Sequence, residues 1–248
     1  MPSFPLKLLA RRMLSPSVGH YTFVRGDGQA LDFQPGQFLQ LHVPLADGGV
    51  ARRSYSLAMP RTHAPTPDDT IEIAVSHMPG GVATELLTAL EPGGTVAGNG
   101  PYGRFCLLPD DANRRYLLVA TGTGVTPYRA MLPQLERLMA ERGVEVVLLF
   151  GVRSAEDLLY GDEFRTFADA HPGFRFMPCF SRGLPADPHP DMRHGYVQQF
   201  LGELEPDADG DIAYLCGNPG MVDACVETLT AAGLGPARIR REKYTAGK

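Results

Sequence analysis

A glycine-rich segment near the middle of the 248-residue chain has the composition of a phosphate-binding turn. The segment Gly122-Thr123-Gly124-Val125-Thr126-Pro127 follows an apolar run of strand length. Its glycines would let the backbone approach a pyrophosphate, Thr126 can cap the next helix, and Pro127 suits that helix's first turn. Because Pro127 replaces the third glycine of the dinucleotide fingerprint, the same residues also fit a simple strand-to-helix turn. On this segment alone both interpretations stay open.

Two further polar segments stand where apolar runs of the second half end. Cys216-Gly217-Asn218-Pro219 ends one run and Ser181-Arg182 ends another, while Arg153 follows a third. Open α/β folds bind ligands at the carboxyl ends of their strands, and hydroxyl and guanidinium groups there could hold the 2′-phosphate that distinguishes NADP from NAD. The competing interpretations are a cysteine buried as a small apolar residue and arginines that are merely solvated.

In the first half, Arg53-Ser54-Tyr55-Ser56-Leu57-Ala58 alternates in a way that suits a strand. In a strand the arginine, the tyrosine and the leucine share one face, and the two serines share the other. An ordinary barrel strand shows the same alternation, so the pattern by itself assigns no chemistry.

The elements that must position these segments differ between the two halves of the chain. Up to about residue 108, turn signals such as Pro35-Gly36 and Pro92-Gly93 separate short alternating segments, which is typical of a small antiparallel barrel. The alternating segments are residues 19–25, 37–43, 53–58 and 71–76. Apolar residues at helical spacing predict one helix over residues 82–90.

In the second half, short apolar runs alternate with helix-length segments, as is typical of an α/β fold. After the polar stretch 109–115, apolar runs occur at residues 116–120, 145–150, 174–180 and 211–216, with helix-length segments between them. Strands that are buried on both faces and separated by helices predict a parallel, doubly wound sheet. We therefore expect two domains, residues 1–109 and 110–248.

Composition excludes several classes of protein. With 23 basic and 28 acidic residues the net charge is −5, which argues against a general nucleic-acid binder. The four cysteines, at 106, 179, 216 and 225, are not clustered, so we expect neither a zinc nor an iron–sulfur site and no disulfide framework. The longest apolar run is far shorter than a spanning helix needs, and the N-terminus lacks a secretory signal. We expect a soluble, cytoplasmic monomer that binds no membrane.

Five segments, in this order, resemble the motifs of the ferredoxin–NADP reductase family, and the likeness extends over nearly the whole chain. The segments are Arg53-Ser54-Tyr55-Ser56, Gly81-Val82-Ala83-Thr84, Gly100-Pro101-Tyr102-Gly103, Gly122-Thr123-Gly124-Val125-Thr126-Pro127 and Cys216-Gly217-Asn218-Pro219. The resemblance implies an N-terminal antiparallel β-barrel with one helix that binds FAD. It also implies a C-terminal α/β doubly wound parallel sheet that binds NADP(H).

The resemblance implies roles for individual residues of the barrel. Tyr55 would lie against the isoalloxazine, Arg53 would pair with the flavin pyrophosphate, and Ser56 would present its hydroxyl towards flavin N5, the atom that accepts hydride. The remaining implied FAD-binding residues are Ser54, Val75, Gly81, Val82, Ala83 and Thr84.

In the second half, the resemblance assigns the nucleotide and its nicotinamide pocket. Ser181-Arg182, followed later by Gly195-Tyr196-Val197-Gln198, is similar to the 2′-phosphate-recognition segment of NADP-preferring members, with Arg153 as a further partner. The implied nucleotide-binding residues are Gly122, Thr123, Gly124, Thr126, Pro127, Gly217 and Asn218. Cys216 and Glu242, together with Ser56 and Tyr244, would shape the catalytic pocket.

The C-terminus points to the bacterial branch of the family. Glu242-Lys243-Tyr244 resembles the plant-type ending, in which the terminal tyrosine covers the flavin. Here Thr245-Ala246-Gly247-Lys248 follow, and we expect this tail to return to the flavin, towards the adenine part of FAD. Whether Tyr244 stacks on the flavin stays open, and a frayed basic tail is the alternative.

The implied activity is that of a ferredoxin (flavodoxin)–NADP(+) reductase, with reversible hydride transfer between NADPH and FAD coupled to one-electron exchange with the carrier. The first 61 residues hold seven basic and three acidic side chains, so a basic flavin domain could steer an acidic ferredoxin or flavodoxin. Two alternatives stay open. One is an NADH-dependent reductase that feeds an oxygenase, and the other is a non-catalytic module that binds a flavin or a nucleotide.

Overall fold

The computed structural model describes residues 2–108 and 111–245. It contains two compact units. The first runs to Leu107 and also includes Thr126–Met131, and the second is formed by the rest of the described chain. None of the described helices is long and apolar enough to cross a membrane.

The first unit is built on a six-stranded antiparallel sheet with the order β4-β3-β6-β1-β2-β5. Its strands are β1 Phe4–Ser15, β2 Val18–Arg25, β3 Phe38–Pro44, β4 Val50–Ser56, β5 Ile71–Ser76 and β6 Thr95–Tyr102. The two outer strands of this order meet through a bridge between Leu57 and Ile73. Because this bridge joins the two edges, the sheet closes on itself, and the predicted antiparallel barrel is confirmed.

Alternation along the strands fills the barrel with apolar side chains. Along β3, Leu39, Leu41 and Val43 are buried, while the residues between them are only partly covered. One helix, α1 Val82–Ala89, accompanies the barrel and buries Ala83 and Leu87, as its apolar spacing predicts.

Strands β1 and β6 were not predicted from the sequence. In β1, Phe4, Leu6 and Leu8 point into the barrel core with no more than 5% exposure, but the residues between them are proline or charged. These outward residues interrupt the apolar run and so mask an alternating strand.

The second unit is a six-stranded parallel sheet with the order β10-β9-β8-β7-β11-β12. Its strands are β7 Arg115–Thr121, β8 Glu145–Val152, β9 Phe174–Phe180, β10 Arg193–His194, β11 Asp211–Gly217 and β12 Ile239–Lys243. Four helices join them, namely α2 Thr126–Arg142, α3 Gly161–Ala170, α4 Val197–Glu203 and α5 Pro219–Ala231. The predicted doubly wound sheet is confirmed, and the sheet order places the first strand, β7, at its centre, next to β11.

Candidate cofactor-binding sites

Tyr55 lies on the face of β4 that is turned towards the barrel core. It lies opposite Leu39 of β3, and Arg53 lies opposite Leu41, so these four side chains share one face. The tyrosine ring packs, half-buried, against the barrel core. Burial raises the pKa of Tyr55 to about 12, so its hydroxyl stays protonated. A flat, neutral ring with one side on the core can offer its other side to a planar ligand.

The two serines of this strand differ in their surroundings. Ser56 ends β4 and is 6% exposed, whereas Ser54 is exposed and its Oγ accepts a hydrogen bond from Gln40 Nε2 at 3.4 Å. Val75, on β5, has its side chain in the barrel core at 1% exposure. Of the three, the structure places Val75 where a ligand could reach only its backbone.

Helix α1 begins without a side-chain cap. Its N-cap is Gly81, and within residues 2–108 and 111–245 no side chain accepts a hydrogen bond from the first-turn amides of Val82, Ala83 and Thr84. The Thr84 hydroxyl instead accepts the backbone N–H of Met78 at 2.9 Å. First-turn amides of a helix have no partner within the helix and favour anions. This amino terminus therefore fits the pyrophosphate of a dinucleotide, and the residues present fit FAD.

At the carboxyl end of β7, residues Gly122–Val125 form a 3-10 turn that runs directly into α2. Gly122 has φ of 55°, and a side chain there would meet open space. The prediction that Thr126 caps α2 is wrong, because the preceding turn is already helical and Val125 is the N-cap residue. Thr126 is instead 1% exposed, and its hydroxyl has no hydrogen-bond partner among the residues that the structure describes. Pro127 lies in the first turn of α2, as expected.

Two glycines allow the ends of β7 and β11 to come together. A Cβ on Gly124 would lie 2.3 Å from the carbonyl oxygen of Cys216, and a Cβ on Gly217 would lie 2.6 Å from that of Thr121. Asn218 then caps α5, since its side chain accepts the N–H groups of Gly220 and Met221 at 2.9 and 3.3 Å. The glycines of both predicted loops are therefore required by close backbone approach.

Cys216 and Glu242 are cross-strand partners at this edge of the sheet, on β11 and β12. Cys216 is fully buried, and both burial and the nearby Glu242 charge raise the pKa of its thiol well above the ordinary value. Burial raises the pKa of Glu242 to about 7. Tyr244 hydrogen-bonds the Cys216 sulfur and donates its backbone N–H to Gly217 at 2.8 Å. The edge therefore holds a neutral thiol next to a carboxyl group that titrates near neutrality.

The structure brings together the three residues predicted to hold a 2′-phosphate. Ser181 and Arg182 follow β9, and their backbone amides bond the carbonyls of Val152 and Arg153 at 2.9 and 3.0 Å. The Arg153 guanidinium is held by Asp157 at 3.2 Å. Within residues 2–108 and 111–245, no side chain is hydrogen-bonded or ion-paired with Arg182, which is exposed. Of the two guanidinium groups, that of Arg153 is therefore engaged by a carboxylate and that of Arg182 is open to solvent.

The segment before α4 and the C-terminal tail hold the last of the predicted site residues. Gly195 and Tyr196 precede α4, and the Tyr196 ring is 60% exposed. Residues 246–248 of the predicted tail lie outside the described residues. One supporting residue was missed, because Thr121 Oγ1 accepts the backbone N–H of Asn218 at 3.0 Å. A hydroxyl residue directly before Gly122, at the end of an apolar run, was the available signal.

Each unit matches one family model. The oxidoreductase FAD-binding domain matches residues 5–106, and the oxidoreductase NAD-binding domain matches residues 118–227. The uncapped start of α1 lies within the first match, and the Cys216 loop lies within the second.

Comparison with individual proteins gives relatives of two kinds. The chain is 38% identical over 249 residues to ferredoxin–NADP reductase B of Sorangium cellulosum, covering 97% of both chains. It is also 38% identical over 226 residues to the reductase subunit of an aromatic O-demethylase of Amycolatopsis, of which it spans 63%. The crystal structure of an Amycolatopsis cytochrome P450 reductase superposes with a TM-score of 0.82 at 33% identity, covering 99% of this chain and 70% of that one.

Proposed function

Because the chain belongs to the ferredoxin–NADP reductase family and is an FAD-dependent oxidoreductase, we propose that it transfers hydride between NADPH and FAD and exchanges single electrons with a ferredoxin or a flavodoxin. The observation that carries this proposal is that each unit has a backbone turn of the kind that suits the pyrophosphate of a dinucleotide. One is the uncapped start of α1, and the other is the glycine turn at 122–125. Two such turns suit an enzyme that moves electrons between a flavin and a pyridine nucleotide.

Bound FAD would supply hydride acceptance at N5 and one-electron release, so the redox chemistry would belong to the cofactor. The chain's task is then to bind, orient and hold protons. We assign Tyr55 to support the flavin ring, Arg53 and the α1 amides to bind its pyrophosphate, and the Ser56 hydroxyl to lie near N5. In the second unit, Cys216 supplies an uncharged wall for the nicotinamide, since its thiol stays protonated.

Glu242 is the proton-holding group of the proposed site. With a pKa of about 7, its carboxyl group can take up or give up a proton near physiological pH. The Gly217 loop is held between Thr121 and the backbone of Tyr244. This loop keeps Cys216 and Glu242 in place while the nucleotide binds and leaves.

The preference for NADPH over NADH rests on Arg182. An exposed guanidinium in the residue that follows Ser181 is suited to a phosphate dianion. Arg153 already has the Asp157 carboxylate as its partner, so we assign it a smaller share.

The one-electron partner is proposed from the relatives and from surface charge. The match to the Sorangium ferredoxin–NADP reductase over 97% of both chains favours ferredoxin or flavodoxin. Within the described residues, Arg25 and Arg61 pair with Asp27 and Asp32, and Arg11 binds the carboxyl end of α1. Lys7 and Arg52 are exposed without an acidic partner in that part of the chain. These two cations would attract an acidic carrier.

The second candidate is a reductase that feeds an oxygenase. The 38% identity to the aromatic O-demethylase reductase subunit supports it. The first candidate predicts electron transfer to the separate carrier, and the second predicts transfer to an oxygenase component.

The two candidates separate in a reconstituted assay. The purified holoenzyme is given NADPH and, in parallel, a ferredoxin, a flavodoxin or the oxygenase component of an aromatic O-demethylase, and reduction of each acceptor is followed at low and high salt. We expect fast, salt-sensitive reduction of ferredoxin or flavodoxin that slows in Lys7→Glu and Arg52→Glu but not in the control Arg137→Glu, an exposed arginine of α2. Fast reduction of the oxygenase alone would support the second candidate instead.

A further inference from the structure

Arg129, on α2, makes two short contacts with the barrel unit, to which Thr126–Met131 belong. Its Nη1 donates to the backbone oxygen of Ala58 at 2.8 Å and to Glu72 Oε2 at 2.7 Å. The pair is well covered, with side-chain exposures of 13% for Arg129 and 19% for Glu72. A charge-assisted bond that is shielded from water is stronger than a surface pair and more costly to break.

The backbone of Glu72 also holds Ala58 in place. Its backbone oxygen accepts the N–H of Ala58 at 2.8 Å. The backbone of Ala58 is thus held twice, at its N–H by Glu72 and at its oxygen by Arg129. One residue earlier, Leu57 donates its N–H to Gln37 and bridges to Ile73.

The charge of Glu72 is balanced by Arg129 rather than by the neighbouring histidine. His20 Nε2 lies 3.6 Å from Glu72 Oε2, but His20 is 4% exposed. Burial lowers the pKa of His20 to about 4, with Arg12 and Arg129 acting in the same direction and Glu72 opposing them. The imidazole is therefore neutral near pH 7. Removing Arg129 would leave the Glu72 carboxylate without its cation.

We call the two hydrogen bonds to the Ala58 backbone the brace. Ala58 lies two positions after Ser56 and three after Tyr55. The direction of a side chain depends on the φ and ψ angles of its residue. The side chains of Tyr55 and Ser56, at the end of β4, therefore keep their directions only if the backbone that follows them is fixed. In catalysis, small errors in such directions reduce rate more than binding.

We propose that Arg129 is a positioning residue of the flavin site: by joining the Ala58 carbonyl to the Glu72 carboxylate, it fixes the backbone that directs Tyr55 and Ser56. The inference rests on the proposed function, which assigns those two side chains to the flavin. Arg129 itself touches neither the flavin nor the nucleotide in this account.

The test compares the holoenzymes of wild type, Arg129→Gln, Arg129→Lys and the control Arg137→Gln. Hydrogen exchange of the Leu57 and Ala58 amides reports the brace directly, without turnover. We expect roughly tenfold faster exchange in Arg129→Gln, partial recovery in Arg129→Lys, and wild-type exchange in the control. Anaerobic stopped-flow should show flavin reduction roughly tenfold slower in Arg129→Gln, with KM for NADPH changed by less than about twofold.

Different results would refute the positioning role of Arg129 and the proposed function. Wild-type exchange and a wild-type reduction rate in Arg129→Gln would overturn the positioning role, as would a change in KM alone. If Arg129→Gln does not fold, Glu72→Ala removes the carboxylate that holds the Arg129 guanidinium from its other side and should change exchange and rate in the same direction. A wild-type holoenzyme that NADPH does not reduce would refute the proposed function, while the exchange result would still decide whether the brace exists.

Discussion

Cys216 and Glu242 face each other on neighbouring parallel strands, and their two acidic groups behave differently near neutral pH. The thiol is held in its protonated form by burial and by the Glu242 charge. The carboxyl group, with its pKa raised to about 7 by burial, is the member of the pair that changes charge. Proton chemistry at this edge of the sheet is therefore expected to follow Glu242.

Replacing Glu242 with Gln should remove a pH dependence from folding. The folded-state pKa of about 7 lies above the ordinary value of 4.5. The fold thus favours the neutral acid, and its stability contribution is complete below about pH 4.5 and lost as the pH rises through 7. Between pH 5 and 8, we expect wild type to lose about 2 kcal/mol more unfolding free energy than Glu242→Gln. Urea unfolding at the two pH values measures this difference, and parallel pH profiles would contradict it.

Tyr55→Ala should weaken FAD binding. Burying the ring is worth roughly 1.5–3 kcal/mol, which corresponds to a 10- to 100-fold increase in Kd. Titration of flavin-free protein with FAD, followed by flavin fluorescence, gives the value. Tyr55→Phe is the matched control, because it keeps the ring and removes only a hydroxyl that stays protonated. Unchanged affinity in Tyr55→Ala would take Tyr55 out of the stacking role.

Arg182→Ala should act on NADPH and spare NADH. Loss of a charge-assisted contact costs about 1.5–3 kcal/mol, so KM for NADPH should rise at least tenfold while KM for NADH changes little. Arg153→Ala should have the smaller effect, because that guanidinium is already paired with Asp157. Steady-state kinetics with both nucleotides test the pair. Equal effects of Arg182→Ala on NADPH and NADH would move phosphate recognition elsewhere.

Gly124→Ala should damage the nucleotide unit. The new Cβ would lie 2.3 Å from the Cys216 carbonyl oxygen, so the ends of β7 and β11 would have to separate. We expect a loss of about 2–4 kcal/mol in unfolding free energy and weaker nucleotide binding. Gly235→Ala is the control, since a Cβ there meets nothing within 4 Å and its φ of −73° suits alanine. Equal stability of the two variants would show that the ends of β7 and β11 can separate without a loss of unfolding free energy.

The sequence predicts the elements whose apolar pattern is clean. Strand β5, Ile71–Ser76, and strand β9, Phe174–Phe180, occur at the predicted bounds. Strands β1 and β12 escape prediction because charged residues interrupt them, and β12 exists as a strand through its pairing with β11. Tertiary pairing of this kind leaves no local signal.

The candidate site was predictable in its residues more than in its contacts. The motif glycines could be anticipated, since backbone approach admits only the smallest residue. The cap at Thr126 was predicted wrongly, because nothing in the sequence distinguishes a 3-10 turn from a loop before a helix. The Arg129–Ala58 bond joins residues 71 positions apart, and side-chain bonds of that range emerge only from the fold.

We expect this chain to move hydride from NADPH to a bound FAD. This transfer is tested most directly by the visible absorbance of the purified protein under anaerobic NADPH and then, in a separate sample, under NADH. We expect the spectrum of an oxidised flavin, which bleaches rapidly with NADPH and more slowly with NADH. A colourless protein, or a yellow protein that NADPH does not bleach, would refute hydride transfer from NADPH to a bound flavin.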